Sequence, residues 1–186
     1  MPRVIFRTAA TLDGFLADPE DSLDWLFAVP GSETGTAEFD AFLDGIGVLV
    51  QGSTTYTWVL EHEDLLAHPE QWPDYYGRRP TWVFTSRDVP AVDGADIRMV
   101  SGAVADHWDA IARSAGGRDV WLVGGGDLVG QFADAGRLDE IVVDIAPVTL
   151  GEGRPLLPRR LESDRLALRD VRRNGPFAQL VFDVRS

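Results

Sequence analysis

The chain has 186 residues, of which 45% are hydrophobic and 25% are charged, and this composition predicts a soluble globular protein with one sizeable core. It contains no cysteine and no lysine, which excludes disulfides, thiolate metal sites, a cysteine nucleophile and Schiff-base chemistry. The formal net charge of -13 disfavours nucleic acid as a partner, so any phosphate site has to be built locally from backbone amides and a few arginines.

Targeting and membrane signals are also missing from the sequence. No apolar run approaches the roughly 20 residues of a membrane-spanning helix, and the N-terminus lacks the basic and apolar regions of a signal peptide. We therefore predict a cytoplasmic protein with no membrane partner, folded as a single domain over residues 1–186. The histidines have no second histidine or carboxylate at metal-ligand spacing, so we expect no metal site.

Strand and helix patterns alternate along the chain with short turn-rich connections, which is typical of an α/β protein. Strands are predicted at 3–10, 47–51, 81–85, 97–100 and 140–147, with one more directly before a glycine tract at 124–126. Helices are predicted at 37–43, from 52 onward, at 104–115 and at 128–135, and a hairpin joins 165–171 to 177–184. The aromatic stretch 60–79 has no clear period, and we interpret it as an insertion packed on the surface.

The glycine tract, Gly124-Gly125-Gly126, ends a buried strand and is followed at once by Asp127 and Leu128, which begin a helical pattern. Residues without side chains let a ligand approach the backbone, and the next helix offers free N–H groups and a positive dipole end to an anion. The tract is therefore typical of a nucleotide phosphate site. A tight strand-to-helix turn without a ligand is the alternative.

A second helix start lies at Gly52, where Ser53 or Thr54 can serve as the N-cap. Arginines near the strand at 81–85 are candidate phosphate ligands, and each can instead be a solvated strand-end residue: Arg78, Arg79 and Arg87.

Four motifs in this order resemble the RibD C-terminal family of the dihydrofolate reductase-like superfamily. They are Thr11-Leu12-Asp13-Gly14, the segment 52–56, the glycine tract, and the segment 138–140 leading to 146–153. The resemblance covers most of the chain and implies a three-layer α/β fold. In that fold, helices flank a central mixed, mostly parallel sheet that ends in a C-terminal antiparallel hairpin. The resemblance also implies a reductase that uses NADPH and is often a homodimer.

Two groups of cofactor-binding residues follow from the resemblance. The pyrophosphate would lie against the glycine tract and the two helix starts, namely Gly52, Ser53, Thr54, Gly124, Gly125, Gly126, Asp127 and Leu128. The adenosine 2′-phosphate would be approached by Thr85, Ser86 and Arg87. Family members commonly have an arginine where this chain has Ser53, and one charge-assisted contact is worth about 1.5–3 kcal/mol. The choice between NADPH and NADH is therefore left open, with Arg87 as the candidate for the missing charge.

The same resemblance provides catalytic candidates, which are Asp13, Trp25, Glu38 and Asp40. In folate-reducing relatives, an acidic residue on the first helix bonds the pterin ring. Glu38 and Asp40 lie two residues apart on that helix, so they point about 200° apart and only one can face a cleft. Glu38 fits slightly better, and a solvated carboxylate is the alternative for each. Asp13 belongs to a loop that closes over the nicotinamide or caps a turn, and Trp25 borders the substrate cleft or packs in the core.

The substrate is narrowed by two further observations. Val142 stands where folate reducers often have a hydroxyl residue, which weakens the case for dihydrofolate reduction. A ribose phosphate would need a basic pocket, for which the candidates are Arg154, Arg159 and Arg160, each of which can also be surface charge. The prediction is an NADPH-dependent reductase of a pterin-like or ribosylaminopyrimidine-type heterocycle, as in riboflavin biosynthesis. A non-catalytic nucleotide-binding relative of the same fold is the alternative.

Overall fold

The computed structural model describes residues 1–32 and 36–185. Within this part of the chain, eight strands form one sheet in the order β5-β4-β3-β6-β1-β7-β10-β9, and β2 pairs with β8 in a small second sheet. The strands are β1 Val4–Thr11, β2 Phe15–Ala17, β3 Ile46–Gly52, β4 Thr81–Phe84, β5 Ile97–Val100, β6 Asp119–Gly124, β7 Glu140–Ala146, β8 Arg154–Pro155, β9 Leu166–Asn174 and β10 Phe177–Val184.

Six neighbouring strands of the large sheet, β5 to β7 in the sheet order, are parallel, whereas β10 and β9 are antiparallel to their neighbours. The central strands read as apolar runs because both of their faces are covered, as expected for parallel sheets. The C-terminal hairpin turns at Gly175, whose φ of 56° favours glycine. This arrangement confirms the predicted mixed, mostly parallel sheet with a terminal antiparallel hairpin.

Helices cover both faces of the sheet, which confirms the three-layer architecture. One face packs against α5 and α6, and the opposite face packs against α2, α3 and α4. The helices are α1 Asp24–Phe27, α2 Thr36–Gly45, α3 Ser53–His62, α4 Trp72–Tyr76, α5 Val104–Ser114 and α6 Gly126–Asp134. No helix in the described residues is both long and apolar enough to cross a membrane.

The stretch 60–79 is part of the core, so its interpretation as a surface insertion was wrong. Leu65, Trp72 and Tyr76 are buried in the cluster beneath α3, and Trp72 meets Tyr56 edge-on at 6.1 Å between ring centroids. The exposed acidic and proline residues between them obscure any helical period, although these large side chains supply much of the core.

The N-cap of α3 also differs from the prediction. Gly52 is the N-cap, with extended backbone at φ -78° and ψ 157°, and no side chain caps this helix. Ser53 and Thr54 lie one and two positions inside the first turn. Their hydroxyls are therefore placed along the helix start, where they are free to contact other groups.

Candidate active site

A cavity of about 500 Å³ opens at the carboxyl ends of β1, β3 and β6. The helix after β3 lies on one face of the sheet and the helix after β6 lies on the other. Ligands of open α/β sheets bind in such a crevice, where the direction of the connections changes. Its lining comprises Thr8, Ala9, Leu16, Ala17, Asp21, Leu23, Trp25, Leu26, Thr54, Thr55, Trp58, Val123, Gly124, Gly125, Gly126, Asp127, Arg154, Pro155 and Pro158.

The glycine tract forms one wall of the cavity, and its backbone is closely packed. Gly125 is the N-cap of α6 and has φ 95°, a conformation that favours glycine. A Cβ on Gly126 would lie 2.7 Å from the Leu156 carbonyl oxygen and closer still to that of Pro155. A Cβ on Gly124 would lie 3.0 Å from the Thr55 hydroxyl. Side chains are therefore excluded from the tract by neighbouring groups as well as by backbone conformation.

The first turns of two helices border the same cavity. Thr54 and Thr55 belong to the first turn of α3, and Gly126 and Asp127 begin α6. Helix N-termini carry free N–H groups and the positive end of the dipole, so an anion between them is stabilised without any side-chain cation. This wall of the cavity can therefore bind a phosphate group in a chain of strongly negative charge.

Ser53 and Arg87 are brought together beside the start of α3. The Arg87 Nη2 donates a hydrogen bond of 3.2 Å to the Ser53 hydroxyl. The Thr85 hydroxyl accepts from the Arg87 N–H at 3.0 Å and donates to the Arg87 carbonyl at 2.9 Å, which fixes the turn. Ser86 and Arg87 are both exposed. The structure thus brings the Arg87 guanidinium next to Ser53 at the start of α3.

Asp127 and Leu128 have different surroundings. The hydrogen bonds of Gln131 and then of Arg159 lower the pKa of Asp127, whose carboxylate accepts from both at 3.0 Å. Leu128 is buried in the core and does not line the cavity. Only its backbone N–H remains available as a cofactor ligand.

Trp25 is one of the apolar residues that line the cavity. Its ring is 9% exposed and its indole N–H donates to the Leu16 carbonyl at 3.3 Å. Trp58 from α3 lines the same region. Trp58 was not predicted from the sequence, although it follows Thr54 by four residues and Thr55 by three, which places all three on one side of a helix.

Neither Glu38 nor Asp40 lines the cavity. The Glu38 carboxylate accepts from Arg7 at 3.2 Å and from Arg172 at 2.8 Å, on the side of the sheet that α2 covers. The Arg7 guanidinium in turn lies 4.8 Å from the ring centroid of Phe42. Asp40 is exposed. Of the two acids, Glu38 is the one directed toward the sheet, but it serves there as the partner of two arginines.

Asp13 joins the loop after β1 to the loop after β7. Its carboxylate accepts from the Thr11 hydroxyl at 2.6 Å and from the backbone N–H groups of Leu150 at 3.0 Å and Gly151 at 2.7 Å. We name this arrangement the Asp13 clamp. The clamp connects the two sequence segments 11–14 and 146–153. The first segment supplies the carboxylate that accepts hydrogen bonds from the backbone of the second. Asp13 itself does not line the cavity.

The Asp13 clamp predicts a loss of stability in acid. Bonds from the Thr11 hydroxyl, then from the Gly151 amide, lower the pKa of Asp13 below its usual 3.8. A depressed carboxyl pKa contributes stability that is present above the unfolded value and is lost as the pH falls through the folded value. Asp13→Asn should therefore be less stable than the native protein at pH 7, and the difference should narrow below about pH 4.

Thermal unfolding followed by circular dichroism across this pH range measures the effect. Asp109→Asn, which removes an exposed carboxylate from α5, is the matched control and should show no such pH-dependent difference. A difference between Asp13→Asn and the native protein that stays constant with pH would contradict the role assigned to the clamp.

The arginine candidates for a substrate phosphate are already paired. Arg154 lines the cavity, where its Nε and Nη2 donate to the two carboxylate oxygens of Asp21 at 2.5 and 3.0 Å. Arg159 and Arg160 both lie outside the lining. Arg159 bridges Asp127 and Asp134 of α6, and Arg160 pairs with Glu162. Asp21 is a site residue that the sequence analysis missed, since an ion pair across 133 positions leaves no local pattern.

The model of the RibD C-terminal domain family matches residues 75–179, more than half of the chain, and the protein belongs to this family. Among curated proteins, it is similar to the uncharacterized protein YwjB of Bacillus subtilis. The two are 27% identical over 178 residues, which cover 96% of this chain and 95% of the relative.

Solved structures share the fold. A Shewanella sp. PV-4 protein, provisionally assigned to riboflavin biosynthesis, is 24% identical with a TM-score of 0.75 over 99% of both chains. The Thermotoga maritima diaminohydroxyphosphoribosylaminopyrimidine deaminase/5-amino-6-(5-phosphoribosylamino)uracil reductase is 13% identical, with a TM-score of 0.66 over 99% of this chain and 57% of the other. Dihydrofolate reductase of Enterococcus faecalis, complexed with NADP(H), is 16% identical, with a TM-score of 0.61 over 99% of this chain and 97% of the other. The chain thus has the dihydrofolate reductase-like fold.

Proposed function

We propose that this protein is an NADPH-dependent reductase acting on a pterin-like or ribosylaminopyrimidine-type heterocycle. The observation that carries the proposal is the composition of the cavity lining. The lining combines the glycine tract and the first turns of two helices with apolar side chains that include Trp25 and Trp58. The helix starts and the glycine tract suit a pyrophosphate, and the apolar side chains suit flat rings. One cavity can therefore hold both the cofactor and the substrate.

The residues present fit the cofactor. Side chains at Gly124 and Gly126 would collide with Thr55 and with the Pro155 and Leu156 carbonyls, so the tract stays bare backbone where it lines the cavity, and Gly125 turns the chain into α6. The first turns of α3 and α6 would hold the pyrophosphate, and Arg87 with Ser53 would hold the adenosine phosphate. When bound, NADPH supplies a hydride. The protein's own part is to position the two rings against each other in the apolar part of the cavity and exclude water there.

The described lining residues include no unpaired carboxylic acid that could deliver a proton to the substrate. The two carboxylates in the lining, Asp21 and Asp127, are both bonded to arginines. We therefore propose that water completes the protonation of the substrate, with Glu38 outside the cavity holding Arg7 in place.

Calorimetric titration with NADPH and with NADH tests the cofactor assignment. We expect micromolar binding of NADPH, weakened about tenfold by Arg87→Ala, which removes one charge-assisted contact. Arg160→Ala removes an exposed arginine away from the cavity and should leave the affinity unchanged. Failure of both nucleotides to bind at millimolar concentration would overturn the proposal.

A non-catalytic nucleotide-binding protein is the second candidate. The observation that favours it is the position of Glu38 and Asp40 outside the cavity lining. NADPH oxidation at 340 nm in the presence of pterin and pyrimidine substrates separates the two functions. Tight NADPH binding without oxidation by any of these substrates would favour the second.

We also propose that the protein is a homodimer. Leu168 and Val171 on the edge strand β9 are 58% and 56% exposed, which leaves apolar surface for a second copy. Sedimentation equilibrium should give twice the mass of the chain, and replacement of both residues by serine should give the monomer. A monomeric native protein would contradict this proposal.

A further inference from the structure

Electrostatics divide the cavity into two halves. The half next to the glycine tract offers helix N-termini to an anion. The other half is lined by apolar side chains, namely Leu16, Ala17, Leu23, Trp25, Leu26 and Trp58. A phosphate group placed among these apolar side chains would lie outside the first turns of α3 and α6, so it would need a side-chain cation.

Arg154 is the one cationic side chain among the described lining residues. Its guanidinium is bonded to both carboxylate oxygens of Asp21, and its Nη2 also donates to the Pro19 carbonyl at 3.0 Å. The bonds to Asp21 raise the pKa of Arg154, so it remains charged, and that charge is already neutralised by a carboxylate. A phosphate in the cavity would have to displace Asp21 or stand beside it.

Both partners of this ion pair are held by their backbones. Asp21 has φ 66°, and its N–H donates to the Asp18 carbonyl at 3.1 Å. The Asp18 carboxylate accepts in turn from the Ser22 N–H at 2.8 Å. On the other side, a side chain on Gly153 would overlap the carbonyl oxygen of Ala17, so the strand that carries Arg154 lies tightly against β2. The backbones that carry the pair are therefore held in place, while the Arg154 and Asp21 side chains are 54% and 37% exposed and within reach of a ligand.

The remaining charged side chain in the lining does not supply a free cation either. Asp127 adds a second carboxylate to the lining, and its partner Arg159 also bonds Asp134. The lining therefore contains two carboxylates and one guanidinium. Outside the helix N-termini, a doubly charged phosphate meets a guanidinium that Asp21 already neutralises, whereas an uncharged ring meets apolar surface.

We infer that the substrate of this protein is an uncharged, phosphate-free planar heterocycle, and that the Asp21–Arg154 pair discriminates against phosphorylated compounds. The inference rests on the proposed reductase function and narrows its substrate class. It separates this chain from the Thermotoga maritima reductase, whose name specifies a phosphoribosyl compound.

The test compares two compounds that differ only in the phosphate, 5-amino-6-ribosylaminouracil and its 5′-phosphate. Their dissociation constants are measured by calorimetry with and without NADPH. The native protein should bind the phosphate-free compound at least about tenfold more tightly. Asp21→Asn frees Arg154 and should strengthen binding of the phosphate about tenfold, with less than a twofold change for the other compound.

Asp96→Asn is the matched control. It removes one carboxylate from the bidentate pair with Arg98, which lies outside the cavity, and it changes the net charge by the same amount. It should leave the preference between the two compounds unchanged.

Several outcomes would overturn the inference. They are equal or tighter binding of the phosphate by the native protein, a selective loss of phosphate binding in Arg154→Ala, or failure of both compounds to bind to a protein that binds NADPH. Absence of NADPH binding is a separate result that counts against the proposed function, since the two compounds can still be compared on the protein alone.

Discussion

Replacement of Gly126 by alanine is expected to lower the free energy of unfolding by about 1–3 kcal/mol and to weaken NADPH binding by at least about tenfold. The new methyl group would overlap the backbone carbonyls of Pro155 and Leu156, which cannot rotate away as a flexible side chain would. Either α6 or the segment formed by β8 and Leu156 has to shift, and both α6 and β8 contribute to the cavity wall. The amides that should hold the pyrophosphate would move with α6.

Urea unfolding and NADPH calorimetry on the same preparation measure the two effects. Gly47→Ala is the matched control because its methyl group would overlap the carbonyl oxygen of Ala115, at the end of β3 remote from the cavity. It should cost similar stability and leave NADPH affinity unchanged. Equal affinities for Gly126→Ala and the native protein would show that the tract has no part in cofactor binding.

Trp121→Ala is expected to lower the free energy of unfolding by about 3–5 kcal/mol. The indole is 5% exposed and meets Phe39 and Phe42 edge-on at 5.4 and 5.6 Å between ring centroids. It therefore joins α2 to the sheet. The indole N–H also donates to the Arg7 carbonyl at 3.1 Å, and removal of the ring takes this donor away as well.

Trp121→Phe separates the two contributions. Phenylalanine keeps most of the ring contacts and loses the N–H, so we expect a smaller loss of about 1–3 kcal/mol. Urea denaturation of both variants with an unchanged m-value would assign the difference to the native state. Equal losses in the two variants would mean that the hydrogen bond, and not the packing, accounts for the effect.

The order along the chain of the eight strands of the large sheet and of the four longer helices α2, α3, α5 and α6 could be predicted because it depends on local patterns, whereas the short elements α1, α4, β2 and β8 were missed. Val48, Leu49 and Val50 form an uninterrupted apolar run that identifies a strand buried on both faces. The glycine tract identifies the strand-to-helix turn for the same reason, since its conformation is set by residues next to one another. The ends of the strands and helices were predicted less accurately. For example, β9 begins at Leu166 and extends to Asn174, three residues beyond the predicted end.

The parts that could not be predicted depend on contacts between distant segments. The core position of Trp72 and Tyr76 was missed because the intervening segment has no period. Asp21 was missed because its partner, Arg154, lies on another strand. Glu38 was assigned to the right helix, but its pairing with Arg7 and Arg172 follows from the tertiary fold alone. A local sequence pattern indicates whether a segment forms a strand or a helix. It does not indicate which charged groups come into contact in the folded protein.

The Asp13 clamp has a consequence for protein engineering. The loop after β1 and the loop after β7 lie 137 positions apart, yet one carboxylate supplies the acceptor for the backbone of the second. A designer who transplants either loop from a relative, in order to change the substrate, has to transfer both or retain Thr11, Asp13 and the glycine at 151. The two loops are exchangeable as a single part, and not one at a time.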